Sequence, residues 1–391
     1  MSMLKNFKNL TSLVTLKLTD FEARACANMA GVPLVLVTGA TGFIASHIIA
    51  ALLADGKYRV RGTVRALAKQ DDDDRVQKVL KQTFPELELV EANLTKDEGW
   101  KEAVAGCTYI HHVASPFPAA SPPNADDIIR PAVDGTRRVL SACANAGTVK
   151  RVVLTSSVSS ISNGMSGNRG VGTDHVYTSD DWTDVDGPCA PYEQSKTIAE
   201  KAAWKFVQNL EADKAFELVA INPSAVFGPL ILPRTSTSHG MVFVLLTRML
   251  SAVPDVAVPF VDVRDVARAH LVTMTSATAP GNRYILWNNT VWLKEIAEVL
   301  GKEFISQGYD VPQERMTKIQ LWISKFVNPI AKFFYSVVGI RIVFDNEKLK
   351  EELGIEPIPL QKTAIDTAYS LIESGIIEKK DDYKGPENEK N

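Results

Sequence analysis

Cysteine is scarce here, and what there is of it is not arranged for metal or disulfides. The 391 residues carry four, Cys26, Cys107, Cys143 and Cys189, with no CxxC pair and no Cys/His ligand spacing. In a chain this long that usage fits reduced thiols in the cytoplasm. Strong charge of one sign is missing too. The formal net charge is -3, so no basic field draws nucleic acid. A continuous apolar run of about 20 residues, the length a membrane helix needs, is also absent. The nearest approach, "QLWISKFVNPIAKFFYSVVGIRIVF" at 320–344, is interrupted by Lys325, Asn328, Pro329 and Lys332. It reads as a buried or partly exposed helix of a C-terminal lobe, with peripheral membrane contact through 320–344 as the alternative. The first 19 residues have no acid, no arginine and no unbroken apolar core. Residues 1–30 therefore read as a disordered extension, with mitochondrial targeting the weaker alternative.

What is present is ordinary for a globular protein, 45% hydrophobic and 23% charged. After Met29 short apolar runs alternate with helical stretches. "VPLVLV", "YRVRGTVR", "PELELVEANL", "CTYIHHVAS", "KRVVLTSS" and "FELVAINPSAVFG" each contain a strand. Strand–helix alternation predicts a parallel, doubly wound α/β sheet of Rossmann type covered on both faces. This domain is expected over 31–228. A smaller substrate-binding lobe is expected over 229–378, where prolines break the alternation, with 261–276 returning to the first domain. The charged residues 379–391 read as a disordered tail.

"TGATGFIA" places Gly39 and Gly42 between the first strand and its helix. Glycine permits a tight turn and close approach of a pyrophosphate, whose charge suits the helix N-terminus, and Ala45 keeps the helix close to the sheet. After the second strand an NAD enzyme normally offers a carboxylate to the ribose. No acid occurs between Gly56 and Gln70, whereas Arg65 follows the strand directly and Lys69 lies one helical turn on. That pair favours a 2′-phosphate, hence NADP(H), over the alternative of a solvated basic helix start.

"APYEQSKTIAEKAAW" sets Tyr192 and Lys196 four positions apart, on one face of a helix. A neighbouring ammonium would favour the phenolate and lower the tyrosine pKa. His111 and His112 are adjacent strand residues pointing to opposite faces, which argues against a metal pair, and no metal site is expected.

In their order, "TGATGFIA", "HHVASPF", "LTSSVSS", "YEQSK", "NPSAVFGP" and "VDVRDVARAH" resemble the extended short-chain dehydrogenases/reductases. The nearest branch resembles the dihydroflavonol reductase and cinnamoyl-CoA reductase group with its aldehyde and ketone reductase relatives. The resemblance spans about residues 33–375. It implies Tyr192 as proton donor to a carbonyl, Lys196 on the nicotinamide ribose, and a serine holding the carbonyl oxygen, Ser157 aligning best and Ser156 remaining a rival. It implies cofactor contacts from Thr38, Gly39, Thr41, Gly42, Phe43, Ile44, Asn93, Leu94, Val113, Ala114, Ser115, Asn222, Pro223 and Val226. Substrate contacts fall to Pro116, Ser157, Arg234 and His239, while Asp262 and Arg264 link the lobes.

Cinnamoyl-CoA reductases carry a longer "NWYCYGK"-type motif where this chain has "APYEQSK", which argues against a CoA thioester. The expectation is an NADPH-dependent reductase of aldehydes or ketones, monomeric or homodimeric, acting on a small molecule. The alternatives are a hydroxysteroid dehydrogenase, a sugar-nucleotide epimerase, and a nonenzymatic NADP-binding sensor.

Overall fold

The computed structural model describes residues 31–67, 72–116, 124–163 and 175–386. Residues 1–30 and Lys69 lie outside the described residues. The first part of the chain alternates as expected: β1 (Leu34–Val37), α1 (Phe43–Asp55), β2 (Arg59–Val64), α2 (Asp72–Thr83), β3 (Glu88–Glu91) and α3 (Trp100–Val104). It continues through β4 (Cys107–His112), α4 (Asp126–Ala146), β5 (Arg151–Thr155), β6 (Val176–Tyr177), α5 (Pro191–Gln208) and β7 (Glu217–Pro223). Then come β8 (Ala225–Phe227), α6 (His239–Leu246), β9 (Ala257–Asp262), α7 (Val263–Thr275), β10 (Arg283–Leu286), β11 (Asn289–Trp292) and α8 (Leu293–Phe304). The chain closes with α9 (Lys318–Ser324), α10 (Pro329–Val337), β12 (Val343–Phe344), α11 (Glu347–Glu351) and α12 (Leu360–Glu373).

Seven parallel strands form the central sheet in the order β10-β7-β5-β4-β1-β2-β3. Strand alternation sorts its side chains into two cores. Val35 and Val37 of β1 face Ile48, Ile49 and Leu52 of α1 and Val266 and Ala269 of α7. Leu34 and Leu36 face Val139 and Leu140 of α4 and Ala203 of α5. Each large apolar side chain, fully buried, contributes roughly 1.5–3 kcal/mol.

The sequence marks six strands of this sheet, and the seventh, β10, departs from that expectation. It pairs with β7 from Arg283↔Ala220 to Leu286↔Pro223. Leu349 of α11, with Leu353 and Ile355, also packs in the core of the large sheet. The large domain thus collects chain from beyond residue 229. Helix α7 lies on its face, where Arg151 Nη1 donates to the carbonyls of Thr273 and Ser276, each at 2.7 Å.

The C-terminal lobe holds a three-stranded sheet, β11-β9-β8, and a core that includes Val242, Leu245, Phe260, Ile296, Phe304 and Leu371. Asp262 and Arg264 tie the lobe to the large domain. Arg264 Nη2 donates to Asp262 Oδ2 at 2.7 Å and Nη1 to Asp366 of α12 at 2.6 Å, and Thr363 Oγ1 donates to Asp262 at 2.7 Å. Residues 379–386 do not behave as the disordered tail expected of 379–391. Tyr383 Oη donates to Glu373 at 2.7 Å, and Lys384 N donates to Gln307 Oε1 at 3.1 Å. Those contacts order what composition alone marks as solvated.

Candidate active site

The glycine turn is built from both sides. Gly39 has φ +70°, a left-handed conformation that strains any other residue, and a Cβ there would sit 3.1 Å from Ala114 Cβ. Its N–H donates to Thr63 Oγ1 at 2.9 Å, a β2 contact that no motif in the sequence marks. Helix α1 then starts at Phe43 with no side-chain cap and no acid in its first turn, leaving its N–H groups for an anion. Gly62 lets β2 lie against this turn, because a Cβ there would meet Ala40 Cβ at 2.6 Å.

Thr38 does not face the cleft. It is buried, and its Oγ1 accepts from Val113 N at 3.0 Å and Ala114 N at 2.9 Å. Its one proton therefore goes to His112 Nδ1, 3.0 Å away, which leaves the other ring nitrogen of neutral His112 protonated. Burial pulls the His112 pKa down to about 3. His111 turns the other way, Nδ1 lying 3.1 Å from Nδ1 of His270, so the two adjacent imidazoles share no ligand position.

A cleft of about 970 Å³ runs from this turn to α5. Gly39, Thr41, Gly42, Phe43, Ile44 and Arg65 line one end, and Asn93, Leu94, Val113, Ala114, Ser115 and Pro116 line its floor. Ser157, Tyr192, Lys196, Pro223 and Val226 line the other end. Among the described residues no carboxylate directly after β2 lines the cleft; Glu91 on β3 is turned to the backbone, its Oε2 accepting from Leu67 N at 3.3 Å.

Proline at the first turn of α5 starts that helix, and the four-residue spacing brings Tyr192 and Lys196 to the cleft together. Ser157 Oγ accepts from Ser159 N at 3.1 Å, capping a short 3₁₀ turn, and its hydroxyl is hydrogen-bonded to that of Tyr192. Ser156 is spoken for: its hydroxyl donates to Glu200 Oε2 at 2.5 Å.

The tyrosine pKa moves opposite to the sequence expectation. Burial pushes the phenol up to about 12, with the Ser157 hydrogen bond working against it. Lys196 Nζ stands 6.0 Å from the ring centroid, and burial pulls its own pKa down to about 8 against the attraction of Glu200.

Three expected contacts are placed elsewhere. His239 is fully buried, Nδ1 meeting Ser236 Oγ at 2.7 Å and Nε2 the Gly228 carbonyl at 3.1 Å, with Phe43 edge-on at 4.4 Å. It packs on Phe43 at the start of α1 and does not line the cleft. Arg234 lines the cleft at the glycine turn, where Nη1 donates to Thr41 Oγ1 at 3.1 Å, away from Tyr192. Asn222 is buried under the site, Nδ2 donating to the Ser157 carbonyl at 3.2 Å and to Glu200 at 2.8 Å. Sequence reading misses the apolar wall of Met241, Val258, Pro259, Phe333, Ile342 and Phe344, because widely separated elements and loops supply it.

The model of the NAD dependent epimerase/dehydratase family matches residues 35–286. The chain belongs to that family. A cinnamoyl-CoA reductase of Medicago truncatula is 36% identical over 346 residues, covering 87% of this chain and 95% of that one. An anthocyanidin reductase of Vitis vinifera is 32% identical over 333 residues, covering 79% and 92%. Among solved structures, yeast methylglyoxal/isovaleraldehyde reductase Gre2 complexed with NADPH matches with TM-score 0.71 and 27% identity, over 88% of this chain and 100% of that one. This family member therefore has reductases among its relatives in both sequence and structure.

Proposed function

We propose that this chain is an NADPH-dependent reductase of aldehydes or ketones, working through Ser157, Tyr192 and Lys196. The observation that carries this reading is the hydrogen-bonded Ser157–Tyr192 pair, with Lys196 one turn on, in a cleft continuous with the glycine turn. The residues fit the cofactor: Gly39 and Gly42 leave room for a diphosphate at the start of α1, and Arg65 lines the cleft beyond β2 where no acid does. Arg234, beside Thr41, suits the diphosphate better than the substrate. Lys69, named for the 2′-phosphate with Arg65, stays part of this proposal on sequence grounds alone.

When bound, NADPH supplies the hydride that reduces the carbonyl carbon. The protein's own part is to hold and protonate the carbonyl oxygen. Ser157 and Tyr192 both offer hydroxyl donors, stabilising negative charge as it develops there. A phenol pushed up to about 12 stays protonated at neutral pH, so it donates as a general acid. Lys196 would hold the nicotinamide ribose hydroxyls of the bound cofactor. The wall of Met241, Val258, Phe333 and Phe344 favours an apolar or aromatic carbonyl compound.

Steady-state reduction of an aldehyde and ketone panel, beside fluorescence titration of NADPH, tests this with Tyr192→Phe. We expect kcat to fall about 10²–10⁴-fold, as for loss of a general acid, with NADPH affinity nearly unchanged. Near-wild-type kcat across the pH range would remove Tyr192 as the donor.

A further inference from the structure

The apolar segment 320–344 is not one helix. Asn328 breaks it, its Oδ1 accepting from Ile330 N at 2.8 Å to start α10 afresh after α9. Leu321, Ala331, Phe334 and Val337 turn inward to the lobe core. The opposite faces are bare: Val327 is 84% exposed, Ile319 71% and Phe326 68%, with Trp322 and Ile323 about half exposed. Soluble surfaces rarely gather so many large apolar side chains in one place.

Charge says what covers this face. From Arg315 to Phe344 the sequence has no Asp or Glu, but it has Lys318, Lys325, Lys332 and Arg341, in a chain whose net charge is -3. None of these four has a carboxylate partner among the described residues. Asp255 is engaged by Arg315 and Asp310 by Arg248. The Lys325 ammonium lies 3.8 Å from the Tyr335 ring centroid and 5.1 and 5.8 Å from those of Phe326 and Trp322, a cation set among the aromatics of both helices. Aromatic and aliphatic side chains ringed by bases match an interfacial membrane anchor.

We propose that α9 and α10 form a peripheral docking face for a membrane surface with anionic headgroups. A second copy of the chain is disfavoured, since a two-fold contact would set these bases against themselves. Residues 1–19 are disfavoured for the same reason, carrying Lys5, Lys8 and Lys17 and no acid. Among the described residues no helix is long and apolar enough to cross a membrane, so the contact is one of lying on the surface.

The full chain should be sedimented with vesicles of phosphatidylcholine alone and of phosphatidylcholine mixed with phosphatidylserine, at low and high salt. Four bases should raise partition onto the anionic vesicles by roughly 10²–10³-fold, and salt should reverse it. Phe326→Glu/Val327→Glu should reduce binding to the level on phosphatidylcholine alone with an unchanged unfolding midpoint, because both side chains are exposed. No preference for anionic vesicles, or equal binding by the double variant, overturns the proposal. A dimer dissociated by the same double variant, with no vesicle binding, also overturns it and assigns the face to a second copy.

Discussion

Lys196 and Glu200 lie one turn apart on the same helix, and their surroundings are opposites. Glu200 is fully buried, which alone would push its pKa up, yet Arg283 and the Ser156 and Ser160 hydroxyls hold it below its ordinary value. Arg283 Nε donates to it at 2.6 Å, and the same guanidinium lies 3.7 Å from the Trp182 ring centroid. Lys196 has no such set of partners and is held well under the usual lysine range. The satisfied charge supports the backbone under Ser157; the unsatisfied one faces the cleft, ready for a ligand.

Removing the partner of the paired charge should have the largest effect. Arg283→Met should destabilise the fold by about 3–5 kcal/mol in denaturant titration, as for a buried carboxylate left alone. Glu200→Gln/Arg283→Met should recover much of that loss, and a double variant as unstable as the single one would contradict the pairing. The pH dependence has a definite sign. Glu200 is held below 4.5, so its contribution is present above that pH and is lost as pH falls through the lower folded value. The gap between wild type and Arg283→Met should therefore narrow in acid.

At the far end of the cleft, Arg65→Ala should reduce the NADPH over NADH preference by roughly ten- to hundredfold, the worth of one charge-assisted contact. Measuring kcat/KM with both cofactors checks this, and an unchanged ratio would take the 2′-phosphate away from Arg65.

The smallest effect should be a gain. Lys196→Met should stabilise the cofactor-free protein by about 1–2 kcal/mol at pH 7, allowing for partial solvent screening, while abolishing tight NADPH binding. With Lys196 lowered to about 8 from 10.5, the unfolded chain binds the extra proton between those values, so wild-type stability rises with pH there. The advantage of Lys196→Met should shrink across that window in thermal unfolding.

The parts legible in the sequence are those written in short-range spacing. Short apolar runs mark strands, and the interval from Tyr192 to Lys196 states a shared helix face. What the sequence hides depends on distant chain. Four-residue β10, Arg283–Leu286, is too short a run to stand out in the broken chain after residue 229, and its place at the β7 edge depends on distant sequence. His239 reads as a polar loop residue until Gly228 and Ser236 close around it. Spacing alone points to a lowered pKa at Tyr192, but the depth of its hydroxyl outweighs an ammonium 6.0 Å from its ring.

The late position of β10 also sets the order in which the protein can be finished during synthesis. Every other strand of the large sheet is complete by Pro223, yet Arg283 has still to be translated. Until it emerges, β7 presents an open edge and Glu200 lacks the guanidinium that lets it be buried. A nascent chain halted between residues 229 and 282 therefore holds the glycine turn, Tyr192 and Lys196 without the strand that covers β7. The nucleotide-binding half is thus contiguous in space but not in sequence, because its last strand is made after the lobe's chain has begun.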